Sequence, residues 1–69
     1  MIDAEGAIEK ALEVARKANL PTLFLEAVNV TKKDGLWEVV LAHAGTDRRF
    51  KAVIDSKTGE CLSWSELER

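Results

Sequence analysis

The feature that most constrains the fold is a change in the period of the apolar residues at Pro21. Before this residue, apolar side chains recur at the three- and four-residue intervals of an amphipathic helix. After it, apolar and polar residues alternate, which is typical of strands with one buried face. The sequence therefore predicts one N-terminal helix followed by a β-sheet.

Residues 3–19 predict the helix. Asp3 is a suitable N-cap, and Arg16 and Lys17 lie near the C-terminal end, where the helix dipole favours cations. Asn19, Leu20 and Pro21 then end it. Because the apolar half of the helical wheel is rich in alanine, we expect the helix to lie close against a sheet. That half carries Ala4, Ala7, Ile8, Ala11, Leu12, Val14, Ala15 and Ala18.

Four strands are predicted after Pro21, at about residues 22–31, 36–43, 48–55 and 60–66. The segments between them, residues 32–35, 44–47 and 57–59, each contain a glycine and polar residues that favour turns. Since successive strands joined by short loops pair with each other, the sequence predicts an antiparallel meander.

The loop lengths predict how the strands are aligned. A four-residue loop at 44–47 pairs His43 with Arg48. A three-residue loop at 57–59, with Gly59 in the left-handed region, pairs Ser56 with Glu60. The pairs that follow are Leu41 with Phe50, Val39 with Ala52, Trp37 with Ile54, Ile54 with Leu62 and Ala52 with Trp64. All of these residues are apolar, so one face of the sheet is predicted to be buried.

The predicted fold class is α+β, with one N-terminal helix packed on one face of a four-stranded antiparallel meander in the order α-β-β-β-β. A chain of 69 residues is expected to form one domain, covering residues 1–69. The expected core faces the alanine side of the helix and contains Phe24, Val28, Val30, Trp37, Val39, Leu41, Phe50, Ile54, Leu62 and Trp64.

Composition argues against several classes of function. One cysteine, Cys61, excludes an intramolecular disulfide, and one cysteine with one histidine argues against a dedicated zinc site, so we expect neither metal nor cofactor. A net charge of −2 with dispersed basic residues predicts no nucleic-acid partner. No apolar run approaches the roughly 18 residues of a membrane span. Acidic residues at positions 3, 5 and 9 are unlike an export signal, so a cytoplasmic location is expected if the termini are the native ones.

Two segments resemble the PepSY domain family. Trp37-Glu38-Val39 is similar to the Tyr or Trp followed by x-Val of that family, and Val53-Ile54-Asp55-Ser56-Lys57-Thr58-Gly59-Glu60 is similar to its closing hairpin, V-D-A-x-T-G-E-V. Ser56 replaces the usual Ala, and Cys61-Leu62 replaces the usual hydrophobic pair. The alanine-rich helix agrees with the family as well. The positions that match are Trp37, Val39, Ile54, Asp55, Thr58 and Gly59.

The resemblance implies a small non-catalytic interaction or regulatory module. PepSY-like domains are found in propeptides of thermolysin-type metalloproteases, in membrane-anchored proteins and as short stand-alone proteins, and peptidase inhibition is the role often proposed for them. The family contributes no catalytic residues, so none are expected in this chain. The matching positions are structural ones.

The sheet face turned away from the helix is predicted to carry an interface. Alternation places five apolar residues there, among polar ones, whereas a sheet face exposed to water is normally more polar. We expect this face, or the edge strand at residues 22–31, to contact a protein or peptide partner or a second copy of the chain. The candidate interface residues are Leu25, Ala27, Val40, Ala42 and Val53.

Two other hypotheses remain open. The first is a self-associating protein that binds a small apolar ligand in a groove of its dimer. The second is an enzyme that uses Glu26 with His43, because the simple alignment of the first two strands points Glu26 inward opposite Leu41. A β-bulge near Leu25 would turn Glu26 outward and remove that site.

Overall fold

The computed structural model of the protein describes residues 1–20 and 22–67. It confirms the α-β-β-β-β arrangement, with a four-stranded antiparallel sheet in the order β1-β2-β3-β4. Pro21, which predicted the end of the helix, lies outside the described residues. The elements are α1 (Ala4–Lys17), a 3-10 turn (Thr22–Phe24), β1 (Leu25–Lys33), β2 (Leu36–His43), β3 (Arg49–Asp55) and β4 (Cys61–Leu67).

Helix α1 begins and ends with local hydrogen bonds. The Asp3 carboxylate accepts a hydrogen bond from the Gly6 amide at 2.8 Å, which confirms Asp3 as the N-cap. At the C-terminal end, Asn19 adopts a positive φ of 63° and the Leu20 amide donates to the Ala15 carbonyl at 3.0 Å. A left-handed residue at this position turns the chain out of the helix and satisfies a carbonyl of its last turn.

The helix packs on the sheet through three alanines spaced four residues apart. Ala7, Ala11 and Ala15 are fully buried, and α1 contacts every strand of the sheet. Since alanine adds only a methyl group beyond the backbone, this stripe lets the helix approach the larger side chains of the sheet closely. The close approach expected from the sequence is therefore what closes the core.

Ile2 attaches the start of the chain to the sheet. Its amide donates to the Ser56 carbonyl at 2.7 Å, and its carbonyl accepts from the Trp37 indole nitrogen at 3.1 Å. The Ile2 side chain packs against the core. Both main-chain groups of this residue are thereby paired, so that the N-cap of α1 is held next to the turn after β3.

The alignment of β2 with β3 is as predicted. Leu41 pairs with Phe50, Val39 with Ala52 and Trp37 with Ile54. The His43 amide donates to the Arg48 carbonyl at 3.0 Å, as a four-residue loop requires. These strands supply most of the buried sheet residues, since Val39, Leu41, Phe50, Ala52 and Ile54 are each at most 2% exposed.

The alignment of β3 with β4 contains a β-bulge. Asp55, rather than Ser56, pairs with Glu60 through a 2.8 Å hydrogen bond, and Ile54 pairs with Cys61. The predicted pair of Ile54 with Leu62 is therefore wrong. The bulge then restores the predicted pair of Ala52 with Trp64. As a result Leu62 is half exposed instead of being in the core.

The alignment of β1 with β2 also differs from the expectation. The turn between them contains only Asp34 and Gly35, whose φ angles are 53° and 76°. Positive φ at both central residues is typical of a type I′ hairpin turn. β1 consequently extends to Lys33. A β-bulge at Val28 then separates the pair of Ala27 with Leu41 from the pair of Asn29 with Val40.

The bulge in β1 changes which of its residues face the helix. Phe24 and Val28 are about half exposed, so their predicted places in the core are wrong. Leu25 is buried, and Ala27 packs against the core. Val30, Trp37 and Trp64 lie at its border, partly buried. The buried hydrophobic residues are Ala7, Ala11, Ala15, Leu25, Val39, Leu41, Phe50, Ala52 and Ile54.

The alanine stripe predicts the effect of a larger residue in its centre. Ala11→Leu should lower the free energy of unfolding by about 1 to 3 kcal/mol, because the added carbons have no space between helix and sheet. Glu9→Leu places the same side chain on an exposed position of the same helix and should change stability by less than about 0.5 kcal/mol. Urea unfolding followed by tryptophan fluorescence measures both. Equal stability of the two variants would show that the helix does not lie against the sheet at Ala11.

Candidate functional site

The outer face of the sheet is defined here as the face opposite α1. Its residues alternate with those that contact the helix, and strand pairing places them in four rows. From one end of the sheet to the other, these rows are Glu26, Ala42, Arg49 and Leu67; Asn29, Val40, Lys51 and Ser65; Thr31, Glu38, Val53 and Ser63; and Lys33, Leu36 and Asp55.

The candidate interface changes with the alignment of β1. Leu25 and Ala27 were predicted on the outer face, but they lie on the side of the helix, Leu25 at 8% exposure, so that part of the prediction is wrong. Val40, Ala42 and Val53 are on the outer face and partly exposed. The physical reason is the bulge at Val28, which reverses the alternation of all β1 residues before it.

Charged side chains occupy the outer face beside these three apolar residues. Lys51 and Glu38 form an ion pair of 3.3 Å across β2 and β3 in its centre. Acidic and basic residues also occupy both terminal rows, with Glu26 and Arg49 at one end and Lys33 and Asp55 at the other. This face therefore combines a few separate apolar residues with a central ion pair and with balanced charge at its ends.

A second surface lies at the edge of the sheet. Leu23, Phe24 and Val28 are 87%, 52% and 49% exposed, and they belong to β1 or to the turn that leads into it. β1 is an edge strand, since it pairs with β2 alone. We name these three residues the β1 apolar segment. Leu23 and Phe24 are adjacent in the chain, and Val28 follows four residues later; exposed large apolar side chains near one another along an edge mark a candidate contact surface.

The structure does not bring Glu26 and His43 together. His43 pairs with buried Leu25 on the side of the helix, whereas Glu26 pairs with Ala42 on the outer face and is exposed. The prediction that Glu26 points inward opposite Leu41 is therefore wrong. His43 Nδ1 lies 3.0 Å from the Ala44 carbonyl oxygen, and its ring centroid is 6.1 Å from that of Phe24.

The positions that match the PepSY pattern have structural roles here. Val39 and Ile54 are fully buried, and Trp37 is hydrogen-bonded to Ile2. In the turn, the Asp55 carboxylate accepts hydrogen bonds from the Lys57 and Thr58 amides at 2.8 and 3.1 Å. Thr58 Oγ1 accepts from the Glu60 amide at 3.2 Å, and Gly59 has a φ of 77°, the left-handed conformation predicted for it.

The turn also affects the ionisation of Asp55. Hydrogen bonds from the Lys57 amide and then the Thr58 amide lower the pKa of the Asp55 carboxyl below its ordinary value. A second acid, Glu66, has a lowered pKa because Arg48 binds it through two hydrogen bonds of 3.0 and 3.1 Å. Both carboxylates are therefore ionised at neutral pH.

Within residues 1–20 and 22–67, no group of three or more His, Cys, Asp or Glu side chains is arranged to hold a metal ion. Cys61 is a free thiol that packs against the core, with Sγ 3.3 Å from the Ser63 carbonyl oxygen. Among the helical residues that the structure describes, no helix has the length and apolar character needed to span a bilayer.

Sequence reasoning missed the β1 apolar segment. The simple alignment placed Phe24 and Val28 in the core, and Leu23 was not singled out. The available signal was the Asp34-Gly35 dipeptide, which favours a two-residue hairpin turn. That turn shifts β1 along β2 by two residues, but the bulge at Val28 leaves no such mark in the sequence.

Comparison of the chain with protein-family models, with curated proteins and with solved structures found no match.

The lowered pKa of Asp55 predicts a pH-dependent contribution to stability. A carboxyl whose pKa is depressed by folding stabilises the folded state above its unfolded pKa of about 3.9, and this contribution disappears as the pH falls through the folded value. Asp55→Ala should therefore be less stable than the wild type at pH 7, and the difference should shrink toward pH 2. Urea unfolding of both proteins at several pH values measures it. Because Glu66 is present in both, the difference isolates Asp55. A difference that does not depend on pH would contradict the assignment.

Proposed function

We propose that this protein is a small non-catalytic interaction module, similar to PepSY domains, and that it contacts a protein or peptide partner through the β1 apolar segment. The observation that carries the proposal is the exposure of Leu23, Phe24 and Val28 within six residues of one edge of the sheet. The resemblance to PepSY domains rests on two segments of the sequence, residues 37–39 and residues 53–60.

Burial of this segment against a partner would be favourable. Transfer of apolar surface out of water contributes roughly 25 cal/mol per Å², and aromatic residues in the centre of an interface often carry much of its binding energy. An anchor side chain contributes more to affinity when its motion is already restricted before binding. The Phe24 ring lies against His43, which restricts it in this way. Leu23, at 87% exposure, offers nearly its whole side chain.

The bulge at Val28 favours contacts made by side chains. A partner strand that added to β1 over its whole length would meet the irregular backbone of the bulge, which is one of the ways in which edge strands avoid pairing with other chains. We therefore propose an apolar segment of the partner packed on Leu23, Phe24 and Val28, rather than a continuous fifth strand.

The resemblance to PepSY domains supplies the partner to test first, a thermolysin-type metalloprotease. Addition of the purified protein should slow cleavage of a peptide substrate by such an enzyme. In the doubly substituted variant Leu23→Ser/Phe24→Ser the inhibition constant should rise about 30-fold or more, since anchors of this kind contribute on the order of 1 to 2 kcal/mol each. The matched control is Leu62→Ser on the opposite edge strand, where the side chain is as exposed as Phe24.

The outcomes distinguish the two parts of the proposal. Inhibition by the wild type and by Leu62→Ser, with loss in the double variant, supports both. If the wild type does not inhibit, the peptidase is not the partner. If the double variant inhibits as well as the wild type does, the β1 apolar segment is not the contact surface. Circular dichroism of each variant verifies that the fold is intact.

A further inference from the structure

We propose that the outer face of the sheet binds a second copy of the chain around a two-fold axis that runs across the strands. In this arrangement each strand lies on the same strand of the second copy, in the opposite direction. The proposal rests on the positions of the charges on the outer face and concerns a surface distinct from the β1 apolar segment.

The charges at the two ends of the outer face are opposite on the same strand. β1 carries Glu26 at one end and Lys33 at the other, and β3 carries Arg49 and Asp55 in the reverse order. β2, which lies between β1 and β3, carries the apolar residues Ala42 and Leu36 at the two ends of the face. When the two ends of a strand carry opposite charges, two copies of that strand are complementary if they run in opposite directions.

A two-fold axis across the strands brings the opposite charges of the two copies together. It places Glu26 on Lys33 of the second copy, Arg49 on Asp55 of the second copy, and Ala42 on Leu36 of the second copy. Each of these contacts occurs twice because of the symmetry. Opposite charges therefore meet at all four corners formed by β1 and β3, and apolar residues meet between them.

The ion pair in the centre of the face fits the same arrangement. Glu38 and Lys51 are 3.3 Å apart within one copy, in neighbouring rows on β2 and β3. Reversal of the strands puts Glu38 of the second copy in the row of Lys51. Viewed along the axis, the four side chains alternate in sign. Each charge then lies near one opposite charge of its own copy and one of the second copy.

A two-fold arrangement with its axis parallel to the strands lacks this match at the ends of the face. An axis parallel to the strands would place β1 on β4 and β2 on β3 of the second copy. Arg49 would then face Ala42, Asp55 would face Leu36 and Glu26 would face Leu67, so that charges would meet uncharged side chains. Because removal of a charge from water without a partner is unfavourable, the charges at the ends of the face favour the axis across the strands over the axis parallel to them.

The size of the face sets the strength of the association. Four strands about 4.8 Å apart and about seven residues long form a patch of roughly 19 by 23 Å. Two such patches bury on the order of 900 Å², which is less than the roughly 1,200 Å² of stable complexes. The dimer is therefore weak and depends on concentration, with Leu36, Val40, Ala42 and Val53 as its apolar contacts.

Charge exchange on β1 tests the arrangement by sedimentation equilibrium at low salt, over protein concentrations from about 10 µM to 1 mM. Glu26→Lys would set like charges against each other at two symmetry-related places and should raise the dissociation constant about tenfold. Adding Lys33→Glu restores opposite charges and should return the constant to near the wild-type value. Glu9→Lys makes the same charge change on the exposed side of α1 and should leave it unchanged.

The rescue by the second substitution is specific to the proposed axis. Glu26 and Lys33 pair with Ala42 and Leu36, which are six residues apart on β2, so about 20 Å separates them and they do not interact within one copy. A wild-type protein that stays monomeric up to 1 mM would overturn the proposal. A dimer that Glu26→Lys weakens without rescue by Lys33→Glu, or that it leaves unchanged, would overturn the axis across the strands.

Discussion

The contact between the alanine stripe of α1 and the sheet is the constraint on which the rest of the structure depends. Ala7, Ala11 and Ala15 allow one short helix to cover all four strands. A chain of this length can bury only about 60% of the surface that it exposes when unfolded, so one close layer contact has to supply most of the core. The helix covers only one face of the sheet, and the other face stays exposed.

Two β-bulges determine which apolar residues lie outside the core. The bulge in β1 exposes Val28 and the bulge in β4 exposes Leu62, one on each edge strand of the sheet. Irregular edges of this kind limit uncontrolled pairing with other chains. The two surfaces proposed for recognition are the β1 apolar segment and the outer face. The two surfaces share no residue, but they adjoin at β1, where Glu26 of the outer face lies between Phe24 and Val28.

The sequence predicted the helix, the fold class and the alignment of β2 with β3, because apolar periodicity and a four-residue loop determine them locally. It failed where backbone irregularities determine the alignment. The two-residue turn at Asp34-Gly35 shifted β1 by two residues, and the bulge at Val28 then exchanged inward and outward positions. Two of the five candidate interface residues, Leu25 and Ala27, moved into or against the core for this reason. The same change separated Glu26 from His43, the pair on which the enzyme hypothesis relied.

The alignment of β1 is therefore the central claim, since both proposed surfaces depend on it. Nuclear Overhauser effects between backbone protons of paired strands measure it directly. The structure predicts contacts between Val30 and Val39 and between Ala27 and Leu41. Contacts of Val30 with Trp37 and of Glu26 with Leu41 would instead mean a regular β1, with Phe24 and Val28 in the core. That result would contradict the account of both surfaces.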